Sequence, residues 1–155
     1  MNFFTHFLFA LTIGVILAKL NIISNELALV CAFAGMLVDI DHYFVHIIKN
    51  KTNKFSILSM WNNSIKHRRY SQKSFIHYWK GGLLLTIIFL VIIYFYTQLG
   101  LVLLIGYYSH LFLDSFDMKK LKILRFRINK IYFGIAKAEV ILNPLFVLII
   151  IGVLM

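Results

Sequence analysis

A histidine and an aspartate interrupt the long apolar run at residues 99–116. His110 and Asp114 lie four residues apart in the sequence Gly106-Tyr-Tyr-Ser-His-Leu-Phe-Leu-Asp114. On a helix, residues i and i+4 share one face, so both side chains point toward the same neighbour. An imidazole and a carboxylate at this spacing can bind one metal ion, or the carboxylate can orient a metal-bound imidazole. The alternative is a buried hydrogen bond that joins helices, but ionisable groups at membrane depth usually mark a functional site.

Three further candidate ligands lie within four residues, in Asp39-Ile-Asp-His42. Helical spacing puts Asp39 and His42 on one face, whereas Asp41 is rotated by roughly 200° from Asp39. Asp41 therefore joins the same site only if the helix breaks there; otherwise it serves a second metal ion or orients a ligand. Imidazole and carboxylate ligands suit Zn²⁺, Mn²⁺ or Fe, and this number of ligands is compatible with more than one ion. A solvated acidic helix end is the alternative.

The segment from His67 to His77 combines two histidines with the cations Arg68, Arg69 and Lys73. Arginine side chains bind phosphate oxygens in a bidentate geometry, so a metal site beside Arg68 and Arg69 would suit a phosphate ester. Binding of lipid headgroups explains the cations equally well, but it does not explain the histidines.

The composition predicts a membrane protein with a single domain, residues 1–155. Of the 155 residues, 61% are hydrophobic, whereas ordinary globular proteins have roughly 45–50% apolar residues. The net charge of +10 could indicate nucleic acid, but the basic residues lie between apolar runs, where membrane proteins place them against lipid headgroups. We therefore expect membrane lipids as partners and no nucleic acid.

Five apolar segments predict an all-α, polytopic membrane protein with about five transmembrane or membrane-embedded helices. The segments are 3–18, 26–38, 81–97, 99–116 and 140–155. They are at the short end of the roughly 17–25 residues that a spanning helix needs. The second segment could also form one longer helix with residues 44–48, interrupted at Asp-Ile-Asp-His.

The positions of the basic residues predict the topology. Residues 49–80 and 118–138 carry nearly all lysines and arginines, so the positive-inside rule places both regions in the cytoplasm. Five spans then put the N-terminus inside and the C-terminus outside the plasma (inner) membrane. All six histidines and five of the six acids, all but Glu26, fall on the cytoplasmic side. This convergence predicts one polar site at the cytoplasmic face.

Five motifs occur in order along nearly the whole chain: Thr-His6-Phe-Leu-Phe-Ala, Val-Asp39-Ile-Asp-His42, His67-Arg-Arg, Gly106-Tyr-Tyr-Ser-His-Leu-Phe-Leu-Asp114, and Leu-Arg125-Phe-Arg followed by Ala-Glu139. With these motifs the chain resembles the LexA-regulated, inner-membrane metal-dependent hydrolases, the YdjM-like family. That family is grouped more distantly with zinc-dependent phospholipase C and P1-type nucleases, helical enzymes that hydrolyse phosphate esters with a metal cluster.

The resemblance implies a set of metal ligands or close neighbours of the metal: His6, Asp39, Asp41, His42, His67, His110, Asp114 and Glu139. The chain departs from the family pattern at two places. Val38 stands where the family usually has proline before Asp-x-Asp-His. The family also has a compact His-Arg-Gly-x-Thr-His-Ser motif, whereas here Ser71 and Gln72 occupy the Thr-His positions and the next histidine is His77. Either His77 takes the role of the second histidine or that ligand is lost.

The sequence thus predicts metal-assisted hydrolysis at the cytoplasmic face, of a phosphoester in a lipid or a related amphiphile. The expected cofactor is a divalent metal, Zn²⁺ with Mn²⁺ or Fe as alternatives, in one or more ions. Asp41 or Glu139 is the candidate general base, and Arg68 or Arg69 would bind the anionic group. The alternatives are a non-enzymatic metal-binding carrier or sensor, and a structural lipid-binding protein whose polar cluster joins helices.

Overall fold

The computed structural model describes residues 3–49, 58, 75–115, 123–128 and 131–155. Within these ranges the chain forms helices α1 to α6, a 3-10 turn at Phe75–His77 and a two-stranded hairpin. The helices are α1 Phe3–Lys19, α2 Asn25–Leu37, α3 Ile40–Lys49, α4 Trp79–Phe95, α5 Thr97–Ser115 and α6 Lys137–Leu154. The antiparallel hairpin consists of β1 Ile123–Ile128 and β2 Ile131–Ala136.

Each of the five predicted apolar segments is helical, which confirms the helical prediction. The second segment ends at Leu37 and the chain resumes a helix at Ile40, so this region follows the alternative of an interrupted helix. The hairpin lies within the predicted basic region 118–138 and was not expected from the sequence.

Among the residues that the structure describes, no helix combines the length and the apolarity that a membrane-crossing helix requires.

Small residues bring α1, α2 and α5 into close contact. A Cβ atom on Gly106 of α5 would lie 2.6 Å from the carbonyl oxygen of Cys31 on α2, and one on Gly35 of α2 would lie 2.8 Å from the Cβ of Ala10 on α1. Real Cβ atoms do not approach other atoms so closely, so the glycines are what allow these backbones to meet. Close approach through small residues is how helices associate when their surfaces are apolar all round.

Two further helices, α4 and α6, pack against this three-helix core. The ring of Phe146 on α6 lies 5.3 Å from that of Phe9 on α1, and α4 lies against α5. The polar residues of α1 and α5, together with the break between α2 and α3, therefore meet at one end of the bundle.

Candidate metal centre

Six side chains from five parts of the chain meet at that end. We call them the His/Asp cluster, and its members are His6, Asp39, Asp41, His77, His110 and Asp114. They come from α1, the α2–α3 break, the first turn of α3, the 3-10 turn and α5. The cluster combines three imidazoles and three carboxylates, a ligand set that suits a transition metal.

The break after α2 is what brings both carboxylates of Asp39-Ile-Asp into the cluster. Asp39 lies between the helices, where its Oδ1 atom is 3.6 Å from Nε2 of His110. Asp41 lies in the first turn of the next helix, is buried, and contacts His77 instead. A continuous helix would direct these two side chains to nearly opposite faces, so the interruption determines the membership of the cluster.

Three ligand atoms form a nearly regular triangle. Nε2 of His77 lies 3.1 Å from Nε2 of His110, and Oδ2 of Asp114 lies 3.5 Å and 3.4 Å from these two nitrogens. Ligand atoms around a tetrahedral zinc ion lie about 3.3–3.4 Å apart when its bonds are about 2.0–2.1 Å long. The separations in the triangle therefore fit three ligands of one metal ion.

Neighbouring acceptors orient both histidines of this triangle. Nδ1 of His110 lies 2.8 Å from the carbonyl oxygen of Gly35, and because a carbonyl can only accept, Nδ1 carries the proton. Nδ1 of His77 donates in the same way to Oδ2 of Asp41 at 3.0 Å. Each ring therefore directs Nε2 toward the other ligands. Metal-binding histidines have this arrangement of outer partners.

The proton on His77 is held strongly. Burial lowers its pKa, but the hydrogen bonds and negative charges of Asp114 and Asp41 outweigh burial and raise the pKa to about 9. His77 is therefore a cation at neutral pH, and its Nε2–H group donates to the lone pair on Nε2 of His110. A metal ion bound by these atoms would replace that proton.

A second group of ligand atoms shares His110 with the first. Ligand atoms of His6, Asp39 and His110 all lie within 4.8 Å of one another. The His6 ring is 1% exposed, stacks on the His110 ring with centroids 3.9 Å apart, and has Nε2 3.3 Å from Oδ1 of Asp114. Its Nδ1 atom is buried without a hydrogen-bond partner among the described residues. Asp114 thus faces His6 with one oxygen and the first triangle with the other.

Glu139 lies beside the cluster, at the start of α6. Its side chain is buried, and its Oε1 atom accepts a hydrogen bond of 3.3 Å from Oγ1 of Thr5, the residue before His6. The contact fastens α6 to α1 next to the cluster. Among the described residues, Glu139 does not belong to either group of atoms that could hold a metal ion.

The 3-10 turn that carries His77 is fixed from two sides. The Tyr107 hydroxyl donates a hydrogen bond of 2.6 Å to the carbonyl oxygen of Ile76, the residue before His77. On the other side, Gly81 in the first turn of α4 leaves room for the Phe75 carbonyl, since a Cβ atom there would collide with that oxygen. Both contacts hold the turn against the bundle.

The structure thus brings together six of the residues that the sequence singled out. The backbone of His42 lies in α3, but its side chain falls outside the described part of the structure, as do His67, Arg68 and Arg69. Sequence reasoning missed the roles of Gly35 and Tyr107. The Tyr107 contact spans 31 residues and the Gly35 contact 75, so no local pattern indicates them.

Comparison with known proteins supplies a family and nothing more specific. The family described as YdjM inner membrane protein matches residues 1–154. No match was found among curated proteins or among solved structures. Since the match covers all but the last residue, the chain belongs to the YdjM inner membrane protein family.

Proposed function

We propose that this protein is a membrane-bound, metal-dependent hydrolase that cleaves a phosphoester of a lipid or another amphiphile. The proposal includes about five membrane-embedded helices, with the N-terminus and the His/Asp cluster at the cytoplasmic face and the C-terminus outside. Membership of an inner membrane protein family supports the location. Many large apolar side chains on the outer surfaces of α4 and α6 are exposed, as expected for helices that contact lipid.

One observation carries the proposal: the triangle of His77, His110 and Asp114, at separations of 3.1–3.5 Å. A cluster that only joined helices would need hydrogen bonds, but it would not need both Nε2 atoms and a carboxylate oxygen directed at one point. Catalytic zinc sites have three protein ligands and one open position. A metal ion in such a site lowers the pKa of bound water and so supplies a hydroxide nucleophile near neutral pH.

The residues around the triangle would then have separate tasks. Asp41 accepts a hydrogen bond from Nδ1–H of His77 and so keeps that ring in position, which favours an orienting role for Asp41 over that of general base. Asp39 is partly exposed and could bind a second ion together with His6. Glu139 remains a candidate general base, and Arg68 or Arg69 a candidate for binding the phosphate group. Zn²⁺ is our first choice of metal because of the mixed imidazole and carboxylate ligands.

Replacement of the shared ligand His110 tests this proposal. We expect purified wild-type protein to contain at least one transition-metal ion per chain and to hydrolyse bis(p-nitrophenyl) phosphate. His110→Ala and Asp114→Ala should lose both the metal and the activity. Ser115→Ala is the matched control, because the Ser115 hydroxyl donates to the carbonyl of Phe112 and has no hydrogen bond to the cluster among the described residues.

A hydrolase, a metal carrier or sensor, and a structural protein would give different results. Wild-type protein that binds no metal when supplied with Zn²⁺, Mn²⁺ or Fe²⁺ would leave a structural, lipid-binding role. Protein that binds metal through His110 but hydrolyses neither the soluble diester nor phospholipid would indicate a carrier or a sensor. Full metal content in His110→Ala and Asp114→Ala would refute the site itself.

A further inference from the structure

A groove lies between α4 and α5, directly beside the His/Asp cluster. Its volume is about 370 Å³, which lies within the range of roughly 300–1,000 Å³ that small-molecule sites occupy. Trp79, Leu83 and Thr86 line it from α4, and Tyr108 and Leu111 line it from α5. One end of the groove is formed by His77, so a molecule in the groove ends at a residue of the cluster.

The shape of the groove suits an extended chain. Trp79, Leu83 and Thr86 are spaced so that they share one face of α4, and the helical rise gives about 10 Å between the first and the last of them. A partner helix is about 10–12 Å in diameter with its side chains, about as wide as this stretch of α4 is long, so it would lie across the groove and not within it. A hydrocarbon chain is narrow enough.

The two hydroxyls on facing sides of the groove, those of Thr86 and Tyr108, satisfy each other. Oγ1 of Thr86 donates to the carbonyl oxygen of Gly82 at 2.7 Å. Because that hydroxyl has a single proton, the Tyr108 hydroxyl is the donor in its own 2.7 Å contact with Thr86. Both protons are therefore used within the protein. A ligand in the groove is not required to supply hydrogen bonds to them, which favours an apolar occupant.

A cation lies close to Trp79, the residue that begins α4 two positions after His77. Nζ of Lys80 lies 5.6 Å from the centre of the Trp79 ring, and Trp79 lines the groove beside His77. Lysine and tryptophan are the residues that membrane proteins place at the headgroup level. Positive charge at this end complements an anionic headgroup, whereas the rest of the groove complements hydrocarbon.

We propose that the groove between α4 and α5 binds the hydrocarbon chain of an anionic phospholipid whose phosphate headgroup lies at the His/Asp cluster. The position of the headgroup rests on the proposed function, but binding of the chain does not. The groove thus explains how a small membrane protein would hold an amphiphilic substrate with its phosphoester at the metal.

Photo-crosslinking tests this proposal without requiring catalysis. The full-length protein in detergent micelles is incubated with EDTA and with phosphatidylglycerol that carries a diazirine in one acyl chain, and the adducts are located by mass spectrometry. We expect adducts at Leu83, Thr86 or Leu111. Ile141 and Leu148 of α6 are 72% and 66% exposed and report on unspecific contact with lipid. Equal labelling of α6 and of the groove would overturn the proposal.

Competition tests the headgroup. Unlabelled phosphatidylglycerol should suppress the groove adducts several-fold more strongly than diacylglycerol with the same chains, because only the former carries a phosphate. Equal suppression by both lipids would refute the assignment of an anionic headgroup.

A pair of variants tests the location. Leu83→Trp places a large ring in the groove and should abolish labelling at Leu111. Leu84→Trp is the matched control, since Leu84 is the next residue, is 50% exposed and does not line the groove. Unchanged labelling of Leu111 in Leu83→Trp, with both variants folded by circular dichroism, would overturn the proposal. If the groove is labelled but the same protein binds no Zn²⁺, Mn²⁺ or Fe²⁺ in separate titrations without EDTA, the proposed function is refuted and the chain-binding site stands.

Discussion

Metal binding to the His/Asp cluster should displace one proton from His77. The pKa of His77 is raised to about 9 by Asp114 and Asp41 in spite of burial, so the imidazole is protonated below that pH. A metal ligand must present an unprotonated nitrogen, and Nε2 is the atom that faces His110 and Asp114. The metal ion and the proton therefore compete for the same atom.

The size of the effect follows from the pKa. At pH 7, two units below a pKa of about 9, roughly 99% of His77 carries the proton, so each bound ion releases about one proton from this residue. The apparent affinity for Zn²⁺ should then rise about tenfold for each pH unit up to pH 9 and level off above it. Between pH 6 and pH 8 the difference is about 100-fold, or about 2.7 kcal/mol.

Isothermal titration calorimetry measures this release. Titrations of Zn²⁺ into metal-free protein in two buffers of different ionisation enthalpy give the number of protons released per ion, and a series of pH values gives the slope. Asp41→Asn removes a charge that raises the pKa of His77. In this variant the pH at which the Zn²⁺ affinity stops rising should therefore be lower. Zn²⁺ binding that involves His77 but releases no proton at pH 7 would refute this account of the cluster.

Two substitutions outside the cluster should weaken metal binding through its supporting contacts. Gly35→Ala places a Cβ atom 2.8 Å from the Cβ of Ala10 on α1 and should shift the Gly35 carbonyl that orients the His110 imidazole. We expect a loss of about 1–3 kcal/mol of stability in thermal unfolding and about 10–100-fold lower Zn²⁺ affinity by titration. The control Gly152→Ala has nothing within 4 Å of its new Cβ atom and should leave both quantities unchanged or slightly improved. Tyr107→Phe removes the hydroxyl that holds the turn before His77 and should lower zinc affinity about tenfold, with helix content unchanged by circular dichroism. The control is Tyr94→Phe, where the side chain is 83% exposed. An equal loss of zinc affinity in Tyr94→Phe would show that the effect is not specific to the Tyr107 contact.

The sequence predicted the helices well because their cause is local. Runs of apolar residues determine where helices form, and the five predicted segments are helical in the structure. The paired strands Ile123–Ile128 and Ile131–Ala136 were not predicted, because they lie in a basic region where charge indicated only a cytoplasmic link. The sequence does not decide where α2 ends, since the motif Asp-Ile-Asp-His is compatible with a continuous helix and with a break.

The sequence by itself determined which chemical groups are available and on which helices they lie. His110 and Asp114 share a helix face by spacing alone, and Asp39 and Asp41 follow the second apolar segment. Only the tertiary structure decided which of these groups meet. The helix break brings both Asp39 and Asp41 to the cluster, and Gly35 and Gly106 let the helix backbones approach closely. Tyr107 holds His77 at a distance of 3.1 Å from His110. These contacts join residues far apart in the chain, and their geometry depends on packing that no local pattern encodes.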